Sequence, residues 1–99
     1  MVQTKQELID LINKNRETIL SFGINRLGVF GSFARNEQNE KSDVDFLVVY
    51  DYKNVNMKKY VGLFDYLEAL TGRQVDIASP NSLAPHRAKK ILPQTEYVL

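Results

Sequence analysis

Apolar side chains recur at helical spacing near the start of the chain. Thr4 and Glu7 have the spacing of a capping box, and Gly23 supplies a helix stop. Between these signals the apolar positions fall on one face of a single predicted helix. The residues on that face are Leu8, Leu11, Ile12, Ile19 and Phe22.

Two further helices are predicted in the second half of the chain. Pro85 suits the first turn of a helix that runs to about Leu92, and Pro93 ends it. The other helix follows a polar turn at 51–54 and is ended by Gly72. Its apolar positions, spaced three or four apart, are Met57, Val61, Phe64, Leu67 and Leu70.

Short apolar segments separate the helices and predict β-strands at 24–30, 43–50, 74–78 and 96–99. Strands and helices therefore alternate along the chain, which is typical of an α/β (α+β) architecture. With 99 residues, of which 43% are hydrophobic, the sequence predicts one compact domain over 1–99 with one modest core.

Composition excludes several kinds of site. The net charge of +1 predicts no strong attraction to DNA, and the basic group of Arg87, Lys89 and Lys90 is typical of a solvated helix face. The chain has no cysteine, which excludes disulfides, zinc–thiolate sites and cysteine nucleophiles and fits a cytoplasmic protein. No apolar run approaches the roughly 18 residues of a membrane span.

Two carboxylates alternate at the start of the second strand, in the order Asp43-Val44-Asp45. Residues two apart on a strand share a face, so both carboxylates point the same way while Val44 points into the core. Ionised carboxylates held close together repel one another unless a cation lies between them. The pattern therefore predicts a site for a hard divalent ion such as Mg²⁺, and Mn²⁺ is the alternative because oxygen ligands accept both.

A glycine and a serine follow the first strand. Gly31 allows a tight turn, and Ser32 is predicted to cap a short helix that runs to about Glu37. The free N–H groups at such a helix start can bind phosphate. Arg35 lies one helical turn later, where it either reaches a phosphate or forms an exposed ion pair.

Together these motifs resemble the signature of the nucleotidyltransferase superfamily of polymerase-β type. The short chain is similar to its minimal nucleotidyltransferase group, and the resemblance covers nearly the whole sequence. It implies a small mixed sheet with helices packed on one side, and a third carboxylate on a later strand, for which Asp76 is the candidate. Asn36 departs from the pattern, because many relatives have glycine after the arginine.

The resemblance also implies a reaction. Asp43, Asp45 and Asp76 would hold two metal ions, and Gly31 and Ser32 would hold the β- and γ-phosphates of ATP. In the minimal group the usual partner is a small helical HEPN protein, a toxin ribonuclease. The implied role is that of an antitoxin that forms a hetero-oligomer with this toxin and transfers AMP to one of its tyrosine hydroxyls.

Two other functions stay open on the sequence alone. The chain could silence its partner by contact without catalysis, although three clustered carboxylates are a costly way to build a passive surface. It could also modify a small molecule or an RNA end with the help of another subunit. The near-neutral charge disfavours long RNA as the acceptor.

Overall fold

A computed structural model describes residues 1–99 and shows a four-stranded mixed sheet with helices on its faces. The strands are β1 (Ile24–Phe30), β2 (Val44–Tyr50), β3 (Val75–Ala78) and β4 (Glu96–Tyr97). Their order across the sheet is β3-β2-β1-β4. β1 pairs antiparallel with β2 and β4, whereas β2 and β3 are parallel. The predicted α/β class and mixed sheet are confirmed.

Five α-helices accompany the sheet. Their bounds are α1 (Lys5–Lys14), α2 (Arg16–Leu20), α3 (Gly31–Ala34), α4 (Met57–Thr71) and α5 (Pro85–Ile91), and short 3₁₀ turns follow at Pro80–Ser82 and Leu92–Gln94. None of these helices is both long enough and apolar enough to cross a membrane.

The first predicted helix is divided in two, which corrects the prediction of one continuous helix. Thr4 caps α1 as predicted, because its side chain accepts a hydrogen bond from the Glu7 N–H. The break falls at Asn15, whose backbone leaves the helical region and whose side-chain amide donates to the Leu11 carbonyl. Asn favours such local side-chain to backbone bonds over continuation of a helix. Apolar spacing alone could not reveal this break.

The main core lies between one face of the sheet and helices α1, α2 and α4. Strand residues Val44, Phe46 and Val48 alternate along β2 toward this face and are fully buried. A smaller cluster on the opposite face joins Leu47 to Ile91 of α5. The two faces of β2 therefore have different neighbours, with α1, α2 and α4 on one side and α5 on the other.

The apolar positions predicted on α4 are not all buried. Leu63 and Leu67 are fully buried, whereas Met57 and Val61 are exposed. Periodicity cannot distinguish a core position from an apolar surface position on the same turn of a helix. At the end of α4 the predicted stop is confirmed, since Gly72 adopts the left-handed conformation with φ 70°.

Candidate active site

The first residues of β2 and β3 bring two of the predicted carboxylates side by side. Asp45 and Asp76 are direct partners in the parallel pairing of these strands. Asp43 lies one residue before β2, and Val44 between the two carboxylates is fully buried in the core. Because adjacent positions on a strand point to opposite faces, the burial of Val44 directs Asp45 toward the face away from α1 and α4.

Asp45 is the electrostatic centre of this group. Burial, reinforced by the negative charges of Asp76 and Asp43, raises the pKa of Asp45 from its ordinary value of 3.8 to about 6. The positive charges of Arg35 and Arg87 act in the opposite direction and lower this pKa. Asp43 and Asp76 are exposed, whereas Asp45 is half-buried. The charges of two other carboxylates and two guanidinium groups thus act on Asp45.

Gly31 packs directly against Asp45. The strand residue before it, Phe30, pairs with Asp45 in the antiparallel β1–β2 ladder, which places the turn beside the carboxylate. Gly31 has φ +73°, and a Cβ atom added there would overlap the Asp45 side chain. Only glycine fits this position without displacing the carboxylate.

Ser32 does not cap the short helix, which corrects the sequence prediction. The helix starts at Gly31 and ends at Ala34, so it is shorter than expected, and its N-cap is the extended residue Phe30. The chain turns one residue earlier than predicted because Gly31 accepts a positive φ. Ser32 consequently lies inside the first turn, next to the glycine that contacts Asp45.

Arg35 forms the exposed ion pair that was one of its two predicted roles. Its Nε lies 3.3 Å from Oε2 of Glu37, and its Nη1 donates to Gln94 at 2.8 Å. About half of the arginine side chain remains exposed. Its charge also lowers the pKa of Asp45, so Arg35 forms an ion pair with Glu37 and acts on the Asp45 carboxylate as well.

Asn36, the residue that departs from the family pattern, adopts a left-handed backbone with φ 60°. It is the only residue other than glycine with a positive φ. Asparagine tolerates this conformation better than most side chains, and glycine tolerates it best. The departure from glycine is therefore accommodated by the backbone.

The carboxylate group has the donor chemistry of a divalent-cation site, but it is not a complete cage. The mutual repulsion that raises the pKa of Asp45 is the kind that a bound cation relieves. No group of three or more His, Cys, Asp or Glu side chains in the chain is arranged so that it could hold a metal ion by itself. Mg²⁺ commonly combines one or two carboxylates with phosphate oxygens of a substrate, which fits this incomplete set.

Two arginines near the carboxylates were not recognised from the sequence as part of the site. Arg87 was interpreted as part of a solvated helix face, yet its charge acts on Asp45 from α5. Arg73, between α4 and β3, is buried and contacts the loop before Asp43. The only sequence signal for Arg73 was its position three residues before Asp76.

A groove lies beside the end of β2 and the start of α4, and its lining is mostly apolar. It has a volume of about 460 Å³ and contains none of the predicted site residues. Burial raises the pKa of Tyr50 in this groove to about 12, so its hydroxyl stays protonated. The aromatic and apolar side chains that line it include Tyr50, Tyr52, Met57, Tyr60 and Ile77.

Comparison with known proteins identifies the family. A family model for the nucleotidyltransferase domain matches residues 9–98. The chain belongs to the nucleotidyltransferase family. The protein adenylyltransferase MntA of Thermococcus cleftensis is 37% identical to this nucleotidyltransferase over 97 residues, which is 96% of each chain.

Solved structures show the same fold. One described as a minimal nucleotidyltransferase is 35% identical, with a TM-score of 0.71, and the match covers 89% of this chain and 93% of the other. A crystal structure of a toxin–antitoxin with AMP-PNP has a TM-score of 0.66 at 18% identity, and covers 98% of this chain and 73% of that one. At this low identity the second match supports the fold alone. The resemblance to the minimal nucleotidyltransferase group is thus confirmed.

Proposed function

We propose that this nucleotidyltransferase transfers AMP from ATP to a tyrosine hydroxyl of a HEPN ribonuclease toxin and acts as the antitoxin of a hetero-oligomeric pair. The observation that supports catalysis most directly is the grouping of Asp43, Asp45 and Asp76 beside Gly31. The nature of the acceptor is supported by the full-length similarity to a protein adenylyltransferase.

In this proposal the attacking group is the tyrosine oxygen of the partner. It forms a bond to the α-phosphorus of ATP while the bond from that phosphorus to the bridging oxygen breaks, and pyrophosphate leaves with the electron pair. The phenolic proton passes to Asp76, which is exposed and therefore accessible to a macromolecular acceptor. Asp43, Asp45 and Asp76 would supply the protein's ligands for Mg²⁺ once the triphosphate is bound, and the ion would neutralise charge on that triphosphate.

Other residues hold the nucleotide. Gly31 and Ser32 present backbone N–H groups toward the β- and γ-phosphates, since they form the first turn after β1. Arg35 and Arg87 contribute positive charge near the carboxylates, which favours an anionic triphosphate. The fork of a guanidinium matches two phosphate oxygens better than a lysine would.

The test is intact-protein mass spectrometry of a HEPN ribonuclease toxin from the same organism. The partner is incubated with ATP, Mg²⁺ and either the native chain or the Asp43→Asn/Asp45→Asn variant. Asp65→Asn is the matched control, because Asp65 is an exposed carboxylate on α4, outside the site. We expect mass increments of AMP with the native chain and the control, and none with the double variant.

The alternatives predict different products. Inhibition of the toxin without any mass increment, unchanged in the double variant, would replace catalysis by neutralisation through contact. If labelled AMP appears only on a small molecule or an RNA end, the acceptor in the proposal is wrong while nucleotidyl transfer is retained.

A further inference from the structure

Arg73 is a buried cation without an acidic partner. It follows Gly72 at the end of α4, and only 7% of its surface is exposed. The chain has two salt bridges, Lys5–Glu96 and Arg35–Glu37, and neither involves Arg73. A buried charge is costly unless its hydrogen-bonding groups are satisfied, so its surroundings must compensate for lost hydration.

Backbone carbonyls provide this compensation from separate parts of the chain. The Arg73 Nε donates to the Val2 carbonyl at 2.6 Å, which anchors the amino-terminal segment. Its Nη1 donates to the carbonyls of Asn39 and Ser42 at 2.9 and 2.8 Å. The guanidinium carbon also lies 5.0 Å from the centre of the Phe33 ring. One side chain therefore joins the amino terminus, the loop before β2 and helix α3.

Two of these contacts, those with Ser42 and Phe33, are close in sequence to components of the proposed site. The Ser42 carbonyl precedes Asp43 directly, and Phe33 lies two residues after Gly31. Arg73 itself is three residues before Asp76. Directly after Arg73, the Gln74 carbonyl accepts a hydrogen bond from the Val44 N–H at 3.0 Å. The β2–β3 pairing begins at this point.

The loop that Arg73 holds is a closed polar turn. The Asn39 N–H donates to the Ser42 hydroxyl at 2.9 Å, and the Ser42 N–H donates to the Asn39 carbonyl at 3.1 Å. Because these bonds lie within the turn, they fix its shape but not its position relative to the sheet. Arg73 binds a carbonyl at each end of the turn and so connects it to the start of β3.

We propose that Arg73 is a positioning residue that holds Asp43 in place relative to Asp45, Asp76 and the Gly31 turn. The planar fork of a guanidinium can reach several carbonyls at fixed angles, whereas a lysine ammonium on a flexible stem cannot. The part of the proposal that concerns rate rests on the proposed function. The part that concerns loop position is independent of it.

The first test compares Arg73→Met with Arg26→Met. Arg26 is a suitable control because it also packs on an aromatic ring, Tyr97, and donates to a backbone carbonyl, that of Leu99, but it lies on β1 away from the carboxylates. Amide hydrogen exchange is followed by NMR without nucleotide or metal. We expect exchange at Val44, whose N–H bonds to the Gln74 carbonyl beside Arg73, to become at least about tenfold faster in Arg73→Met only, because loss of the Arg73 contacts favours local opening.

The second readout is nucleotidyl transfer per folded molecule. Loss of precise placement costs on the order of 100-fold in rate, so we expect kcat to fall far more in Arg73→Met than in Arg26→Met, with a smaller change in KM for ATP. Arg73→Lys, which keeps the charge, should recover part of kcat. It also replaces Arg73→Met in both measurements if the methionine variant does not fold.

Each outcome decides the proposal. Unchanged exchange at Val44 would overturn it, and so would faster exchange at Val44 with an undiminished kcat. Absence of transfer by the native chain would instead contradict the proposed function. The exchange comparison would then still decide whether Arg73 positions the loop.

Discussion

The Asp45 carboxylate occupies the space that a side chain at position 31 would require. This contact joins the turn that is proposed to hold phosphate to the most perturbed carboxylate of the chain. The Gly31-Ser32 turn and the Asp43-Val44-Asp45 pattern, which are separate in the sequence, are therefore in direct contact in the structure. A change in either residue is expected to affect the other.

The Gly31→Ala substitution should impair both stability and transfer. A left-handed backbone costs a non-glycine residue about 1–2 kcal/mol, and the added methyl group would also displace Asp45. Gly23→Ala is the matched control, since Gly23 has a similar φ of +81° but packs against the backbone of Asn54 and Val55 instead of a carboxylate. We expect comparable losses in urea unfolding for both variants, with loss of activity per folded molecule only for Gly31→Ala. Equal activity of the two variants would contradict this prediction.

The Asp45→Asn substitution should stabilise the fold at pH 8 while it abolishes transfer. The pKa of Asp45 is raised to about 6 in the folded state, so the folded state binds the proton more tightly than the unfolded chain does. Ionisation of Asp45 as the pH rises from 4 to 6 therefore lowers the free energy of unfolding. Asparagine removes this ionisation and its repulsion from Asp43 and Asp76.

Thermal unfolding at several pH values checks this prediction. The stability difference from the native chain should be present at pH 8 and vanish near pH 4, and added Mg²⁺ should reduce it by stabilising the native chain alone. Asp65→Asn, on α4, should show no such pH dependence. A native chain that is the more stable one at pH 8 without metal would show that the repulsion is not the dominant effect.

Asn36 should distinguish backbone requirements from side-chain requirements in the loop after α3. Its φ of 60° is accessible to glycine and unfavourable for a β-branched residue. We expect Asn36→Gly to retain the native stability and Asn36→Val to lose about 1–2 kcal/mol in urea unfolding. Equal stability of the two variants would mean that the loop relaxes to another conformation.

Removal of the Arg87 charge should raise the pKa of Asp45. The Arg87 guanidinium lowers this pKa in the native chain, so Arg87→Ala should move the midpoint of the Asp45 titration upward from about 6. Carboxyl ¹³C NMR without metal measures the midpoint directly. Lys90→Ala is the control, because Lys90 lies on the same helix and is not among the groups that act on Asp45. An upward shift of equal size in the control would assign the effect to general charge rather than to Arg87.

Local sequence signals predicted the elements that carry the carboxylates. The alternation of Asp43, Val44 and Asp45 was sufficient to place Val44 in the core, because strand geometry leaves only two faces. The parallel partnership of Asp45 with Asp76 was beyond such reasoning, since pairing depends on contacts distant in sequence. The roles assigned to these residues, and the single domain over 1–99, stay predictions.

The incorrect predictions have a common physical origin. The Ser32 cap and the continuous first helix were each inferred from one local preference, and each was overruled by a competing local one, the positive φ of Gly31 and the side-chain bond of Asn15. The contacts of Arg73 could not be predicted, because its partners are backbone carbonyls, which carry no sequence signal. Long-range polar contacts of this kind become visible only once the chain is folded.

The two faces of β2 have different roles, one in the core and one in the proposed site. Val44, Phe46 and Val48 serve the main core on one face, whereas Asp45 belongs to the other face. The two faces pack in different hydrophobic clusters, so substitutions at well-separated positions of the two clusters should have nearly additive effects on the unfolding free energy. The side chains of the main core can therefore change in evolution while the carboxylates are kept. The carboxylates can likewise change while the main core is kept.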